Sequence, residues 1–171
     1  MNTELPVIDD LIQDKNNSFG LFLNHLNINY DTLEYCRYDS GKPYLKLDDR
    51  IISVSVTHSK SIYLMAINLG EGDVGIDVEL ITRSVHPGLS ERIRCVDDQF
   101  DDDLSDLQKW TIKEAILKMT GTGLRTGMNK VMVRSVSPGK FKSFHDNYEI
   151  SIVSLDIDGY YIAVAWTTNH K

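Results

Sequence analysis

The sequence has little of what zinc binding, membrane insertion or export would require. Its two cysteines, Cys36 and Cys95, lie far apart and form no CxxC pair, so neither a cysteine zinc site nor a disulfide framework is expected. The longest apolar run, Tyr160 to Trp166, is far shorter than the roughly 20 residues that cross a bilayer. The N-terminal residues are acidic where a signal peptide would be basic and then apolar, which predicts a cytoplasmic protein.

Positive charge is also scarce. The 171 residues include 18 Lys and Arg against 25 Asp and Glu, which gives a formal net charge of −7. Because there is no general basic field, we expect no binding to nucleic acid or to anionic membranes by bulk charge. Any phosphate group that the protein recognises must be held by a few placed cations, by helix N-termini or by a metal ion.

The overall composition predicts one globular domain. Hydrophobic residues make up 42% of the chain and charged residues 25%, as in ordinary soluble proteins. We find no internal repeat and no polar linker long enough to separate independent domains, so residues 1–171 are expected to form a single unit. A chain of this length can bury a sizeable core without disulfides or metal ions.

Alternating apolar and polar residues predict strands over much of the chain. After Ile51, the apolar residues that begin with Ile52 occupy every second position and alternate with serine and threonine. This alternation indicates a strand with one face on the core. The apolar runs 62–69 and 74–80 are joined by Gly70 to Asp73, which is typical of a hairpin loop between antiparallel neighbours. Further strands are predicted at 131–133, 148–153 and 160–166, with turns at Pro138-Gly139 and Asp158-Gly159. Turn residues also occur at 40–43.

A helix is predicted from Leu104 to Met119, where the glycine-rich segment 120–123 ends it. Its apolar stripe comprises Ile112, Ala115, Ile116 and Met119. The opposite side carries Trp110, Lys113, Glu114, Leu117 and Lys118. A mixture of large apolar and charged residues on that side indicates a helix packed on both sides, with its charges at the edge of a site. One helix among many strands predicts an α+β fold with antiparallel sheet.

The strand at 74–80 places two carboxylates on one face. Asp77 and Glu79 are two residues apart, so both point away from the apolar face. Like charges this close raise each other's pKa unless a cation lies between them, and two oxygen ligands at this separation suit Mg²⁺. The alternative is a solvated strand face, which the two residues by themselves favour.

Other candidate residues also have two interpretations. Glu114 and Lys118 could bind a ligand or could form a surface i,i+4 pair worth about 0.5 kcal/mol. His58 could be a hydrogen-bonded core residue, which its phase with the buried valines slightly favours, or a phosphate contact or acid/base. Lys42 is expected to be solvated, and the acidic residues from Asp97 to Asp103 are expected to form a solvated loop before the helix.

Four segments together resemble the 4′-phosphopantetheinyl transferases, in particular the larger type built from two similar halves. They are GKPYL at 41–45, SVSVTHS at 53–59, VGIDVE at 74–79 and WTIKEAILK at 110–118, within a resemblance that runs from about Leu21 to Trp166. It implies two α+β halves with antiparallel sheets, roughly 1–75 and 76–171, that form a pseudo-dimer with coenzyme A between them. Since the halves supply their own interface, a monomer is expected.

The resemblance implies a transferase, a holo-carrier-protein synthase that moves the phosphopantetheine arm of coenzyme A to a serine of an acyl or peptidyl carrier protein and releases 3′,5′-ADP. By the same resemblance, Asp77, Glu79 and Glu114 would hold Mg²⁺. Glu114, or a metal-bound water that it orients, would be the base for the serine hydroxyl. The resemblance also implies contacts with the rest of coenzyme A: Lys118 and Lys113 at the pyrophosphate, Thr57 and His58 at phosphate oxygens, and Lys42 and Pro43 near the nucleotide.

The chain departs from the family pattern in its N-terminal half. That half is short, and its apolar segment from Phe19 to Leu26 contains no lysine or arginine for the nucleotide. Thr57 stands where a serine is usual, and the acidic loop at 97–103 would repel an acidic carrier protein. The short N-terminal half, poor in lysine and arginine, defines an alternative function, a catalytically impaired family member that binds coenzyme A or a carrier protein.

Overall fold

The computed structural model describes residues 32–60, 62–145 and 148–168, which form two antiparallel sheets and the elements that pack on them. The first sheet has the order β1-β2-β3-β4, with β1 Leu33–Arg37, β2 Pro43–Leu47, β3 Arg50–Ser59 and β4 Ile62–Asn68. The second has the order β5-β9-β8-β7-β6, with β5 Val74–Leu80, β6 Val133–Ser137, β7 Lys140–His145, β8 Tyr148–Ile157 and β9 Tyr160–Trp166. Helix α1 spans Leu89–Ile93, helix α2 spans Asp106–Thr120, and 3₁₀ turns cover Gly123–Arg125 and Met128–Lys130. The predicted α+β class with antiparallel sheet is confirmed.

Three of the predicted turns connect neighbouring strands. The turn between β1 and β2 is closed by the Tyr38 N–H, which donates to the Lys42 carbonyl over 3.0 Å. Between β8 and β9, Asp158 and Gly159 both have positive φ, 51° and 81°, which matches the twist of a two-residue hairpin. Pro138 and Gly139 join β6 to β7. In each case the predicted turn is confirmed, whereas the strands β2 and β7 that follow two of these turns were not predicted from the sequence.

The hairpin predicted at Gly70 to Asp73 is wrong. This segment crosses from one sheet to the other, because β5 pairs antiparallel with β9 and not with β4. The crossing is tight: Gly72 has φ +124°, and a Cβ there would lie 2.2 Å from the Thr167 carbonyl oxygen. Turn residues indicate that the chain changes direction, but the partner of β5 lies over eighty residues further along the chain and was not visible in the local pattern.

The two sheets meet along a polar seam, formed by the serine and threonine side chains of β3 and the free edge of β5. The Val74 N–H donates to Ser53 Oγ, and the Ile76 N–H donates to Ser55 Oγ, each over 3.1 Å. Side-chain hydroxyls therefore satisfy backbone donors that a further strand would otherwise bind. The prediction that β3 buries only its apolar face is wrong, because the serines are buried as well.

Helix α2 lies directly on the second sheet. Ser105 caps its N-terminus by accepting from the Gln108 N–H, and Gly121, with φ +69°, ends it in the left-handed conformation. A Cβ on Gly75 of β5 would lie 2.0 Å from the Ala115 carbonyl oxygen, so only glycine permits this approach. The core between helix and sheet includes Ile112, Ile116, Met119, Phe141, Ile150, Ile152, Ala163 and Ala165.

Both sides of α2 are covered, as its sequence predicted. Leu117 and Lys113, on the side opposite the main stripe, are fully enclosed. The first sheet has a separate apolar cluster of Leu33, Leu45, Ile52 and Val54. The predicted helical segment from Phe19 to Leu26 lies outside the described residues. Among the residues that the structure does describe, we find no helix with the length and apolar character to span a bilayer.

Candidate active site at the polar seam

At one end of the seam, three side chains from three elements form a hydrogen-bonded group. Lys118 of α2 donates from Nζ to Asp77 Oδ1 of β5 over 2.7 Å and to Thr57 Oγ1 of β3 over 3.0 Å. Thr57 in turn donates to Asp77 Oδ1 over 3.0 Å. The structure thus brings together three residues that lie up to 61 positions apart in the sequence.

Asp77 and Glu79 share one face of β5, as the strand period predicted, but that face is not solvated. Asp77 is only 6% exposed, and Glu79 is also buried. The interpretation of a solvated strand face is therefore wrong. It fails because the same face of β5 lies under α2, as the contact at Gly75 shows.

The two oxygens of Asp77 have different surroundings. Oδ1 accepts from Thr57 and Lys118, whereas Oδ2 is buried and has no hydrogen-bond partner among the residues that the structure describes. Burial raises the pKa of Asp77, and the neighbouring charge of Glu79 raises it further, while Lys118 opposes both. An unsatisfied buried carboxylate oxygen is costly, and a cation would satisfy it.

Glu114 completes the group of acids. Burial raises its pKa to about 7, with smaller contributions in the same direction from the charges of Asp77 and Glu79 and an opposing one from Lys118. The ion pair of Lys118 within the described chain is with Asp77, so the predicted pair with Glu114 along the helix is not what the structure shows. A carboxyl with a pKa near neutral can exchange a proton at physiological pH.

Arg83 is a residue of this site that the sequence did not point to. Its guanidinium donates to Glu79 Oε1 from just beyond the end of β5. The lysine and arginine of the site therefore each hold one carboxylate, Asp77 and Glu79 respectively. An arginine four positions after a strand glutamate carries no distinctive pattern, and only the bend of the chain after Leu80 brings the two together.

The acids fit Mg²⁺ by their chemistry. Carboxylate oxygens are the donors that this ion prefers, and the unpaired Asp77 Oδ2 is one such oxygen. In the described part of the chain, no three His, Cys, Asp or Glu side chains already form a group that could hold a metal ion. Because Mg²⁺ in phosphate chemistry is commonly bound by one or two carboxylates together with substrate phosphates and water, a complete protein cage is not required.

A cavity of about 240 Å³ opens beside this group, between the first sheet and the C-terminal end of α2. Its lining includes Lys42, Pro43, Ser55 and Lys118. The sequence context of Lys42 suggested a solvated side chain, and this prediction is wrong. Its ammonium group binds Asp73 and donates to the Met119 carbonyl over 2.6 Å. Pro43 and Lys118 line the same cavity, and the contacts with coenzyme A that the resemblance assigns to them stay predictions.

Lys113 does not lie at the cavity. It has no exposed surface, and its Nζ donates over 2.6 Å to both the Ile93 carbonyl and Asp98 Oδ2. Burial lowers its pKa, and Asp98 opposes that effect. The expected contact between Lys113 and a pyrophosphate is therefore incompatible with its position. Asp98 is likewise not part of a solvated loop, because it also accepts from the backbone N–H groups of Cys95 and Val133.

His58 is exposed and stacks on Tyr63 of β4, with ring centroids 5.5 Å apart. It is therefore not a buried core histidine. Neighbouring residues of a strand point to opposite faces, so Thr57 joins the seam while His58 lies on the other face of the sheet. The structure does not bring His58 to the group formed by Thr57, Asp77 and Lys118.

Comparison with known proteins matches this arrangement to a family. The model of the 4′-phosphopantetheinyl transferase superfamily matches residues 73–165, which is more than half of the chain. The chain belongs to this superfamily. The matched region comprises the second sheet and α2, and so includes Asp77, Glu79, Glu114 and Lys118 of the transferase pattern. Lys42, Thr57 and His58 lie before it.

A similar protein from Synechocystis sp. carries the name "Putative 4'-phosphopantetheinyl transferase". It is 26% identical over 158 residues, which cover 80% of this chain and 63% of that protein. The chain thus spans less than two thirds of the relative's length.

Proposed function

We propose that this protein transfers the 4′-phosphopantetheine group of coenzyme A to a serine of an acyl or peptidyl carrier protein, in the presence of Mg²⁺. Superfamily membership supports a phosphopantetheinyl transferase. The observation that carries the finer proposal is Asp77 Oδ2, a buried carboxylate oxygen without a partner, beside Glu114, whose pKa is raised to about 7. The three acids carry more negative charge than the neighbouring cations balance. This excess suits a site that binds Mg²⁺ together with a pyrophosphate.

In this reaction the serine Oγ attacks the phosphorus that carries the pantetheine arm. A new bond forms between Oγ and phosphorus, the bond from that phosphorus to the bridging pyrophosphate oxygen breaks, and 3′,5′-ADP leaves with the electron pair. Lys118 would stabilise the negative charge of the pyrophosphate. The Glu114 carboxylate would accept the serine proton or orient the water that accepts it.

Asp77, Glu79 and Glu114 would contribute the protein ligands of the Mg²⁺ ion, which neutralises phosphate charge when bound. Thr57 would act as a positioning residue. Its hydroxyl donates to Asp77 Oδ1 and thereby holds the carboxylate so that Oδ2 remains available. A serine could form the same hydrogen bond, so threonine preserves the chemistry at this position.

One observation favours the alternative, binding without transfer. The ammonium groups of all three lysines that the resemblance assigns to coenzyme A contact acceptors of the protein. Lys42 and Lys113 are enclosed as well, whereas the Lys118 side chain is 31% exposed. Lys118 then remains as the lysine at the candidate pyrophosphate site. Under this alternative, the protein would bind coenzyme A or a carrier protein and modify neither.

The first test is calorimetric binding of coenzyme A to the purified protein with Mg²⁺ and with EDTA. We expect binding that depends on Mg²⁺ and is lost in Glu114→Gln, which removes the charge but keeps the shape. Glu149→Gln serves as a control, because Glu149 is an exposed residue of β8 paired with Lys142. No binding in either condition would contradict the proposal.

A second measurement separates transfer from binding. The protein, coenzyme A and Mg²⁺ are incubated with apo-carrier proteins of the same organism, and the mass of each carrier is measured. Addition of phosphopantetheine to the carrier serine, lost in Glu114→Gln, is expected. Binding of coenzyme A without modification of any carrier would establish the alternative function instead.

A further inference from the structure

The ammonium group of Lys42 joins two parts of the chain that bound the cavity. It comes from the turn between β1 and β2, and it contacts Asp73, at the start of β5, and the Met119 carbonyl, in the last turn of α2. Asp73 Oδ1 also accepts from Ser53 Oγ of β3 over 3.0 Å. We call this group of Lys42, Asp73 and the Met119 carbonyl the clasp.

Lys42 is the enclosed member of the clasp, whereas Asp73 is partly exposed. The Lys42 side chain is only 9% exposed, although lysine in a turn is normally solvated. Its aliphatic part passes close to Gly121, where a Cβ would lie 3.1 Å from Lys42 Cδ. A second contact acts beside it, because Arg125 Nη2 donates to the Ser40 carbonyl over 3.3 Å. The turn is thus held against the end of α2 at more than one point.

The position of the ammonium group has an electrostatic reason. The last carbonyls of a helix lack intrahelical partners and carry partial negative charge, which a lysine stabilises. Asp73 adds a full negative charge on the other side of the same ammonium group. These two acceptors occupy two of the three donors of the ammonium group, and the low exposure of the side chain limits the access of a phosphate to the third.

We propose that Lys42 is a positioning residue that holds the turn at 40–43 against the end of α2 and thereby fixes the width of the cavity, rather than a residue that binds a phosphate of coenzyme A. The part of this inference that concerns coenzyme A rests on the proposed function. The clasp itself is a property of the folded chain and can be tested without any ligand.

The ligand-free test uses Lys42→Met, which keeps the side-chain length and removes the charge, and Asp73→Asn. Lys46→Met is the control, because Lys46 is an exposed lysine of the neighbouring strand β2. Both clasp variants are expected to increase amide hydrogen exchange at Gly121, whose N–H donates to the Lys118 carbonyl, and at Gly41 in the turn. Exchange in Lys42→Met that equals that of the control would overturn the clasp.

The ligand test compares coenzyme A with 3′-dephospho-coenzyme A. If Lys42 fixes the width of the cavity, Lys42→Met weakens the binding of both compounds by the same factor, about tenfold. Asp73→Asn then gives the same loss of affinity. If Lys42 binds the 3′-phosphate, its variant weakens coenzyme A alone, and the inference is wrong. Should the unmodified protein bind neither donor, the proposed function fails, while the exchange measurement still decides whether the clasp exists.

Discussion

The two flanks of α2 use lysine in opposite ways. On one flank, Lys113 has no exposed surface and is surrounded by two carbonyl groups and Asp98. On the other, Lys118 is 31% exposed and binds Asp77 at the polar seam beside the cavity. The residues are five positions apart in one motif, so residue type and motif membership do not by themselves identify a ligand contact.

The two flanks differ in how completely their buried polar groups are hydrogen-bonded or ion-paired. Asp98 accepts from Lys113 and from two backbone N–H groups, and Lys113 balances its charge. Within the described part of the chain, Asp77 Oδ2 at the seam has no partner, and the acids Asp77, Glu79 and Glu114 are balanced only by Lys118 and Arg83. A satisfied buried ion pair contributes to the structure, whereas an unsatisfied group indicates where a ligand would bind.

The largest effect on stability is expected from Gly75→Ala, which disrupts the close packing of α2 on β5 that both flanks of the helix depend on. The new Cβ would lie 2.0 Å from the Ala115 carbonyl oxygen and 2.5 Å from the Met119 nitrogen, both backbone atoms that cannot move aside singly. We expect a loss of more than about 4 kcal/mol in the free energy of unfolding, measured by urea denaturation. Gly88→Ala, where the nearest atom is 3.5 Å away, should be much milder. Similar losses in both variants would contradict the close approach.

Lys113→Met should lower the free energy of unfolding by about 3 kcal/mol, because it leaves a buried carboxylate and two carbonyl groups without their cation. Denaturation measures the loss. If Lys113 serves only the structure, coenzyme A affinity at a temperature where the variant is folded should remain close to that of the unmodified protein. A stable variant that loses coenzyme A binding would place Lys113 at the ligand after all.

Lys118→Met should give the reverse result. The side chain is partly exposed, and we expect a stability loss of only about 1–2 kcal/mol. Under the proposed function, carrier modification should fall by about 10² or more, since charge stabilisation at the pyrophosphate is lost. Parallel assays of Lys118→Met and Lys113→Met test this crossed pattern. Equal losses of stability and activity in both variants would show that the two flanks do not differ in role.

A further effect on stability is expected from Glu114 and depends on pH. Its carboxyl has a pKa of about 7 in the folded protein against an ordinary value of 4.5, so the folded state binds more protons between these values. The free energy of unfolding, measured with EDTA, should therefore fall as pH rises from about 4.5 to about 7. Glu114→Gln should reduce this slope, while the raised pKa of Asp77 keeps part of it. An unchanged slope would contradict the buried position of Glu114.

Local patterns predicted those parts of the fold in which the spacing of apolar residues is set by the geometry of a single helix or strand. The strand period placed Asp77 and Glu79 on one face, and the helix period identified both covered sides of α2. The same patterns could not show that the serines of β3 are buried, because a polar alternation appears identical whether it faces water or the free edge of β5. The misjudged hairpin at 70–73 has the same cause, since pairing with β9 is a long-range contact.

The sequence by itself determined the α+β class, most turns and the set of acids that the superfamily pattern contains, because these depend on residue type and spacing. Only the tertiary structure decided which of the charged residues are available. Lys42 and Lys113 are engaged by carbonyl groups and carboxylates contributed by other elements, and His58 lies on the face of its sheet opposite to Thr57. Burial and pairing arise where separate elements meet, so they cannot be obtained from any single segment of the chain.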